Sequence, residues 1–457
     1  MGKRGQKHTK KAATGGPPSD PLDILGSLIR PIAPNKRHEL NQLVDKLFEL
    51  ASNFGHDAVT PKQLWEEHLK IRALGLRATR DIAQSELVIA IPRKVIMSVD
   101  TARQSEMGRL IEKDAMLQTM NNVTLALHLL LEKTSPASFW EPYINTLPPS
   151  YHTVLYYTEE EFNALKGSPA YLDALKQYKF VARQYAYFYK KFQSTMLKDY
   201  FTFDEYRWAV STVMTRQNQI PSGEDPQKVV NALVPFWDMA NHENGTISTD
   251  FDTEGDVVKC MAFRNFKSGE PFRIFYGERN NHDLLVHNGF VFPDNRFNSL
   301  QIRLGISKND PLAQDKYDML SRLVISPQGQ FVIGKDADQP FDQLLLAFLR
   351  VMCLQSQDEI DLWSHEDKIR DLLNPEADPD LDNKVFQYMK TRCDLLLKSY
   401  PTSLEEDEKA LQNVDLPATL KSCVILRQGV EATLDGEESP MATTMPTGSP
   451  GTASDVG

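Results

Sequence analysis

Met214-Thr-Arg-Gln-Asn-Gln-Ile220, then a polar loop, then Val234-Pro-Phe-Trp-Asp-Met-Ala-Asn-His242 make up the stretch that decides the reading of this chain. Groups that hydrogen-bond in several directions (Arg216, Asn218, Asp238, Asn241, His242) alternate there with bulky apolar ones (Ile220, Phe236, Trp237, Met239). Such a mixture is costly to bury unless each polar group finds a partner. Asn241-His242 alone reads as an ordinary turn or a satisfied buried pair. Only the density of the whole stretch marks a polar pocket.

Its flanks supply the setting. Thr202 with Glu205 predicts a capping box, and Tyr206, Ala209, Val210, Val213 and Met214 follow at helical spacing, so a helix ends near Gln217. Arg216 then sits at a helix C-terminus, where a cation suits the macrodipole. Downstream, Val257–Phe263 and Pro271–Phe275 read as a hairpin joined by Lys267-Ser-Gly-Glu270, which delivers Tyr276-Gly277. A Tyr-Gly pair at a strand end is by itself a structural turn. Asn281–His287 reads as a short helix stopped by Gly289, and Leu300–Ile306 as a further strand.

Farther out, Gly75–Ile82 and Glu86–Ile91 are strand-like runs separated by a polar turn at Ala83–Ser85 and closed by Pro92. Residues 100–133 and 159–198 read as helices, the second with an aromatic cluster at Tyr185–Tyr189 that reads as packing. Phe139–Tyr157, rich in Pro and Tyr, reads as an ordered loop. A helix begins at His38, with Leu40, Leu43, Val44, Leu47, Phe48 and Ala51 on one face and Gly55 as its stop. Lys36-Arg37 just before it opposes the macrodipole, which points weakly to an anionic partner. Beyond Asp310 the chain turns helical, over 311–323, 341–355, 383–399, 403–412 and 416–433, with no concentrated polar chemistry. The expected class is α+β. A basic, disordered tail (1–21) precedes a β-rich unit (22–309) with a helical insert at about 100–210, an all-α unit (310–434) and a disordered tail (435–457).

Composition bounds the function. At 457 residues, with 41% hydrophobic and 25% charged residues, the chain is ordinary for a soluble multidomain protein. A net charge of −11 argues against a general nucleic-acid binder. The basic tip (Lys3, Arg4, Lys7, Lys10, Lys11) reads as a solvated tail. Cys260, Cys353, Cys393 and Cys423 are far apart, so neither a zinc knuckle nor a disulfide framework is expected, and no metal site. The apolar runs Leu125–Leu131 and Leu344–Leu354 are too short to span a bilayer and are interrupted by His128 and Arg350. Gln6 stands where an N-myristoylation signal has Ser or Thr, and no secretory segment is expected. No P-loop, G-x-G-x-x-G, G-x-S-x-G or zinc-protease helix occurs.

Gly75-Leu-Arg-Ala-Thr-Arg-Asp-Ile82, then Asn241-His242, then Ile274-Phe-Tyr-Gly277, in that order around a helical insert, resemble a SET-domain methyltransferase. The trailing helical unit resembles the substrate-binding domain of the Rubisco-lysine-methyltransferase class. The likeness is closer still to the actin-histidine N-methyltransferases. It rests on Ala182–Lys190, Tyr206–Val210, Val213–Pro221, Trp237–His242 and Leu345–Val351, and covers roughly residues 35–430. Ala73 and Asn288 depart from the glycine and serine usual at those places.

The resemblance implies S-adenosylmethionine as cofactor, held by Arg37, the backbone of Glu86, Leu87 and Val88, Arg216, Asp238, Met239, Ala240, Asn241 and His242, and the turn Asn288, Gly289, Phe290. It implies Tyr276 as the active-site tyrosine, Asn218 and Trp237 as the walls for a target imidazole, and Arg279 as a substrate contact. Actin is the implied partner, met by a monomer in the cytoplasm with nuclear access, with neither nucleic acid nor membrane involved. A lysine methyltransferase of the same class and a non-catalytic peptide-binding module remain as alternatives. Asn218, which offers both donor and acceptor, favours an imidazole over an aliphatic amine.

Overall fold

A computed structural model of the protein describes residues 59–66, 71–192, 197–334, 341–374 and 378–435. The expected helix at 38–55, Arg37 and both expected tails (the second but for Asp435) lie outside the described residues.

The described strands, in chain order, are β1 (Val59–Glu66), β2 (Ile71–Ala78), β3 (Leu87–Pro92), β4 (Met97–Ser98), β5 (Asn218–Pro221), β6 (Val229–Leu233), β7 (Asn241–His242), β8 (Thr249–Asp252), β9 (Val257–Met261), β10 (Pro271–Ile274), β11 (Ser299–Gly305) and β12 (Gln328–Gly334). They form small sheets ordered β1-β2-β10-β7, β3-β9-β8, β4-β6-β5 and β11-β12. In the first of these β10 runs antiparallel to β2 and parallel to β7, pairing Arg273 with Asn241 and Ile274 with His242. Segments some 30 residues apart in the chain are thereby set side by side.

The expected hairpin from Val257 to Phe275 does not form. β9 pairs with β3 and β8, whereas β10 pairs with β2 and β7. Between them the chain crosses from one sheet to the other, held by the reciprocal bridge of Ile82 and Phe266. That crossing explains a second difference. The run read as a strand over Gly75–Ile82 stops at Ala78, and Ile82 is buried as an isolated bridge partner.

The helical insert occupies residues 99–216, between β4 and β5. Its first stretch is broken into helices Val99–Gln104, Gly108–Lys113, Ala115–Thr119 and Asn121–Thr134, because Ser98 and Asp114 cap new starts. In the last of these every residue from Val123 to Leu131 is buried, His128 among them. Helix Phe203–Arg216 packs against it. The capping box expected at its start is one-sided: the Thr202 hydroxyl accepts from the Glu205 N–H at 3.2 Å, while the Glu205 carboxylate pairs with Lys133 at 2.5 Å.

A second apolar cluster includes Leu300, Ile302, Leu304, Phe348, Leu349 and Leu372. β11 alternates strictly between buried and outward residues, the period-two pattern of a half-covered strand. It pairs with β12 over its whole length. The second unit is therefore not all-α, and β11, assigned from the sequence to the first unit, packs in the second. Helix Gln357–Ser364 was not expected, although Ser356, which accepts from the Glu359 N–H at 3.3 Å, is its N-cap signal. Arg350, fully buried, donates to both oxygens of Asp382 at 2.7 and 2.9 Å and to the Leu372 carbonyl at 2.8 Å. The last helix, Ala418–Asp435, returns to the first core through Cys423 and Leu426, and its Arg427 donates to Asp407 at 2.8 Å and to the Ala164 carbonyl at 2.6 Å.

Candidate active site

The end of helix Phe203–Arg216, the start of β5, the turn leading into β7 and the end of β10 converge on a half-open cleft of about 700 Å³. Arg216 is the last residue of that helix. Its Nη1 donates to the Asp238 backbone carbonyl at 2.8 Å and lies 3.5 Å from Asp238 Oδ1. The other carboxylate oxygen accepts from the Tyr143 hydroxyl at 2.6 Å. Arg216 Nε and Asp238 Oδ1 are buried with no hydrogen-bond partner among the described residues, so this pair retains unused polar capacity beside the cleft. Burial opposes the Arg216 charge, but the Asp238 carboxylate outweighs it and raises the guanidinium pKa. Burial likewise pushes Asp238 upward, with Arg216 and the Tyr143 O–H pulling it back.

Trp237 is set by an unusual turn. Phe236 has φ 70° and ψ −49°, and the Trp237 N–H donates to the Pro235 carbonyl at 2.9 Å. This is the strained form of the γ-turn, rare for a bulky residue. It carries Phe236 into the core and leaves Trp237 on the cleft wall, where its Nε1 donates to Thr249 Oγ1 at 3.0 Å. On β5, Asn218 Oδ1 accepts from the Gln219 N–H at 3.0 Å. Its side-chain amide has no hydrogen bond among the described residues.

The parallel pairing of β7 and β10 fixes the remaining wall. The Tyr276 hydroxyl donates to the Ala240 carbonyl at 2.7 Å, and the Tyr276 N–H donates to His242 Nδ1 at 3.3 Å. Nδ1 is therefore an acceptor and the ring is not protonated there. Burial, with Arg279 and Arg273 nearby, holds the His242 pKa down at about 4. The rings of Phe275, Tyr276, Phe290 and Phe292 surround it at 5.2–6.1 Å between centroids. Arg279 donates to Asn288 Oδ1 at 2.8 Å, and Asn288 reaches the Thr215 carbonyl at 3.5 Å. Gly289 ends the short helix with φ +78°; a Cβ there would stand 2.8 Å from the backbone of His152 and Thr153.

Of the residues expected at the site, Arg216, Asn218, Trp237, Asp238, Ala240, Tyr276, Arg279 and Asn288 line this cleft. Met239 is turned into the core, His242 and Phe290 stand behind Tyr276, and Gly289 shapes the turn. Asn241 pairs through its backbone at the base. Glu86, Leu87 and Val88 lie outside the lining. The Glu86 carbonyl accepts from Ala262, its carboxylate holds Arg80 at 2.6 Å, and Val88 is buried. Sequence reading missed Tyr143 behind Asp238, and Thr249 and Ile247 on the rim. Tyr143 sits in the segment Phe139–Tyr157, expected as a loop; the structure forms a one-turn helix there, Glu141–Ile144, too short for any periodicity to mark it. Among the described residues no group of His, Cys, Asp or Glu side chains is arranged to hold a metal ion.

The SET domain family profile matches residues 73–277, and the Rubisco LSMT substrate-binding family profile matches residues 307–429. The actin-histidine N-methyltransferase of Canis lupus familiaris is 39% identical over 481 aligned positions, covering 95% of this chain and 81% of that protein. That of Callithrix jacchus is 44% identical over 382 residues, covering 80% of this chain; the match spans 63% of the relative's length, less than two thirds. Among solved structures, the SET domain of LSMT bound to lysine and AdoHcy superposes with a TM-score of 0.69 at 20% identity, covering 88% of this chain and 90% of that one, a likeness of fold.

Proposed function

This chain belongs to the family of SET-domain proteins named actin-histidine N-methyltransferases, and from that premise we propose that it transfers a methyl group from S-adenosylmethionine to an imidazole nitrogen of a histidine in actin. The relatives' name supplies actin. Action as a monomer in the cytoplasm, with nuclear access, belongs to the same reading; no described helix is long and apolar enough to cross a membrane.

The residues of the cleft fit a small zwitterionic cofactor. The Arg216 guanidinium, held beside Asp238 and partly open to the cleft, suits a carboxylate, and Asn288 of the Asn288–Phe290 turn lines the same cleft. When bound, the cofactor supplies a sulfonium-activated methyl. The protein's part is orientation and a matched electrostatic environment. Tyr276 commits its O–H to the Ala240 carbonyl, so its hydroxyl oxygen is held at one place and keeps lone pairs for weak contacts to a polarised methyl.

The observation that supports the histidine reading is that Asn218 and Trp237 both line the cleft. A lysine acceptor, with pKa near 10.4, must first lose a proton at a cost of roughly 4–5 kcal/mol at pH 7. Among the described residues one carboxylate lines the cleft, that of Asp238, and it is engaged by Arg216 and Tyr143. A neutral imidazole has no such requirement. Its attacked nitrogen carries the lone pair and its other nitrogen carries the proton. Asn218 Oδ1, with one lone pair on the Gln219 N–H, has a second to accept that proton. That bond selects the nitrogen and strengthens as the ring becomes cationic. The flat face of Trp237 suits both the ring and the product charge.

Labelled S-adenosylmethionine with an actin peptide, and with the same peptide carrying His→Ala at the acceptor, tests the reading. Label should enter the first peptide only. Undiminished label in the second would overturn it.

A further inference from the structure

Away from the cleft, the long helix Pro169–Phe192 buries Ala174, Tyr178, Val181 and Phe188 on one face. Leu172, Lys176, Lys179, Phe180, Arg183 and Tyr187 lie on the opposite face at helical spacing, all exposed. Leu172 keeps 58% and Phe180 45% of their surface in solvent. This face looks across a groove at Arg303 of β11, Gln330 of β12, and His282 and His287 of the short helix that ends at Asn288. The groove consists of two adjoining spaces of about 820 and 1350 Å³ that share Asp173, Lys176, Gln301 and Gln330.

Its charge is opposite to that of the whole protein. Asp173 is taken by Lys176 at 2.6 Å and faces His282 at 3.2 Å. Lys179, Arg183, Arg303 and Arg392 line the groove and form no salt bridge among the described residues, leaving Asp283 as the one uncommitted carboxylate in the lining. A cluster of unpaired cations interleaved with exposed Leu and Phe, on a chain of net charge −11, is complementary to a segment mixing carboxylates with apolar side chains. One wall is the back of the element whose last residue, Asn288, lines the cleft. A chain lying in the groove is thus about one helix diameter, roughly 10 Å, from the cleft.

We infer that this groove docks an acidic, apolar-bearing segment of the protein acceptor, remote from the methylated residue. The inference rests on the functional reading above. The cleft would select the acceptor ring, while the groove would bring the folded acceptor to it, so a short peptide spanning only the acceptor would not feel the groove.

The test compares the unaltered protein with Lys179→Glu/Arg183→Glu, both fully on the solvent side of the helix, on purified actin and on a short peptide carrying the acceptor histidine. The expected result is a KM for actin raised at least about tenfold, with kcat and the peptide's kinetics unchanged. Raising the salt should narrow the gap between the two proteins. Unchanged KM for actin, or equal losses on actin and peptide, overturns the docking inference. No turnover by the unaltered protein on either acceptor overturns the functional reading instead, and the inference with it. Competition of actin turnover by single-stranded nucleic acid that is lost in the double variant would show a nucleic-acid groove and overturn it as well.

Discussion

Arg216 and Asp238 meet twice: Nη1 of the arginine donates to the aspartate's own carbonyl at 2.8 Å and stands 3.5 Å from its carboxylate. The double contact joins the end of a helix to the turn that opens β7, closing one side of the cleft. Because Asp238 is buried and Arg216 is mostly covered, the pair matters most through what is left when half of it is removed.

Asp238→Asn leaves a buried, uncompensated guanidinium and should cost about 3–5 kcal/mol of stability. Tyr143→Phe removes only the 2.6 Å bond to Asp238 and should cost about 1.5–3 kcal/mol. Urea denaturation at pH 7 measures both. Calorimetry with S-adenosylmethionine should show weaker binding in each. Unchanged binding in Asp238→Asn would mean that Asp238 does not hold Arg216 in place for the cofactor.

Asn218→Ala should lower kcat/KM on the histidine peptide by roughly 10- to 150-fold, the worth of a hydrogen bond to a group that gains charge. The residue is partly exposed and its main-chain pairing with Ala232 is retained, so the melting temperature should scarcely move. Parallel losses of melting temperature and activity would assign Asn218 a structural role alone.

Two glycines with similar backbone angles should answer differently to alanine. Gly277 has φ +97° and nothing within 4 Å of a new Cβ; its alanine variant should lose about 1–2 kcal/mol. Gly289, at φ +78°, would press a Cβ to 2.8 Å from the His152 and Thr153 backbone, for roughly 2–5 kcal/mol. Equal midpoints in urea would contradict the packing described.

His128 is fully buried, with Nε2 3.1 Å from Thr101 Oγ1 and Nδ1 without a hydrogen bond among the described residues, 4.0 Å from Glu132. Burial lowers its pKa to about 4, against about 6.5 in an unfolded chain. As pH falls through 6.5 the unfolded state binds the proton first, so stability declines from pH 6.5 to 4 and is complete above that window. At about 1.4 kcal/mol per pH unit, His128 contributes roughly 3 kcal/mol of that loss. The stability of His128→Phe should decline by that much less between pH 7 and pH 4.

The outline was legible where local chemistry dictates structure. The helix ending at Arg216 shows in its spacing, and the short helix stopped at Gly289 shows in its glycine. The polar interruptions His128 and Arg350 of the two longest apolar runs are real burials, and Arg350 is satisfied by a partner 32 residues away that no local pattern reveals. What stayed hidden depends on long-range pairing. Nothing between Val257 and Phe275 distinguishes a hairpin from a crossing between sheets; the bridge from Phe266 to Ile82 decides it. Likewise the γ-turn at Phe236 puts a bulky residue at positive φ, against its local preference, and only the surrounding core holds it there.

In the proposed function, the wall that includes Asn218 and Trp237 receives an imidazole. The most direct measurement is fragmentation mass spectrometry of actin incubated with the protein and S-adenosylmethionine, locating the added methyl. The expected result is one methyl on a histidine ring nitrogen, absent when Asn218→Ala replaces the unaltered protein under the same brief incubation. A methyl on a lysine with no histidine modified would contradict it.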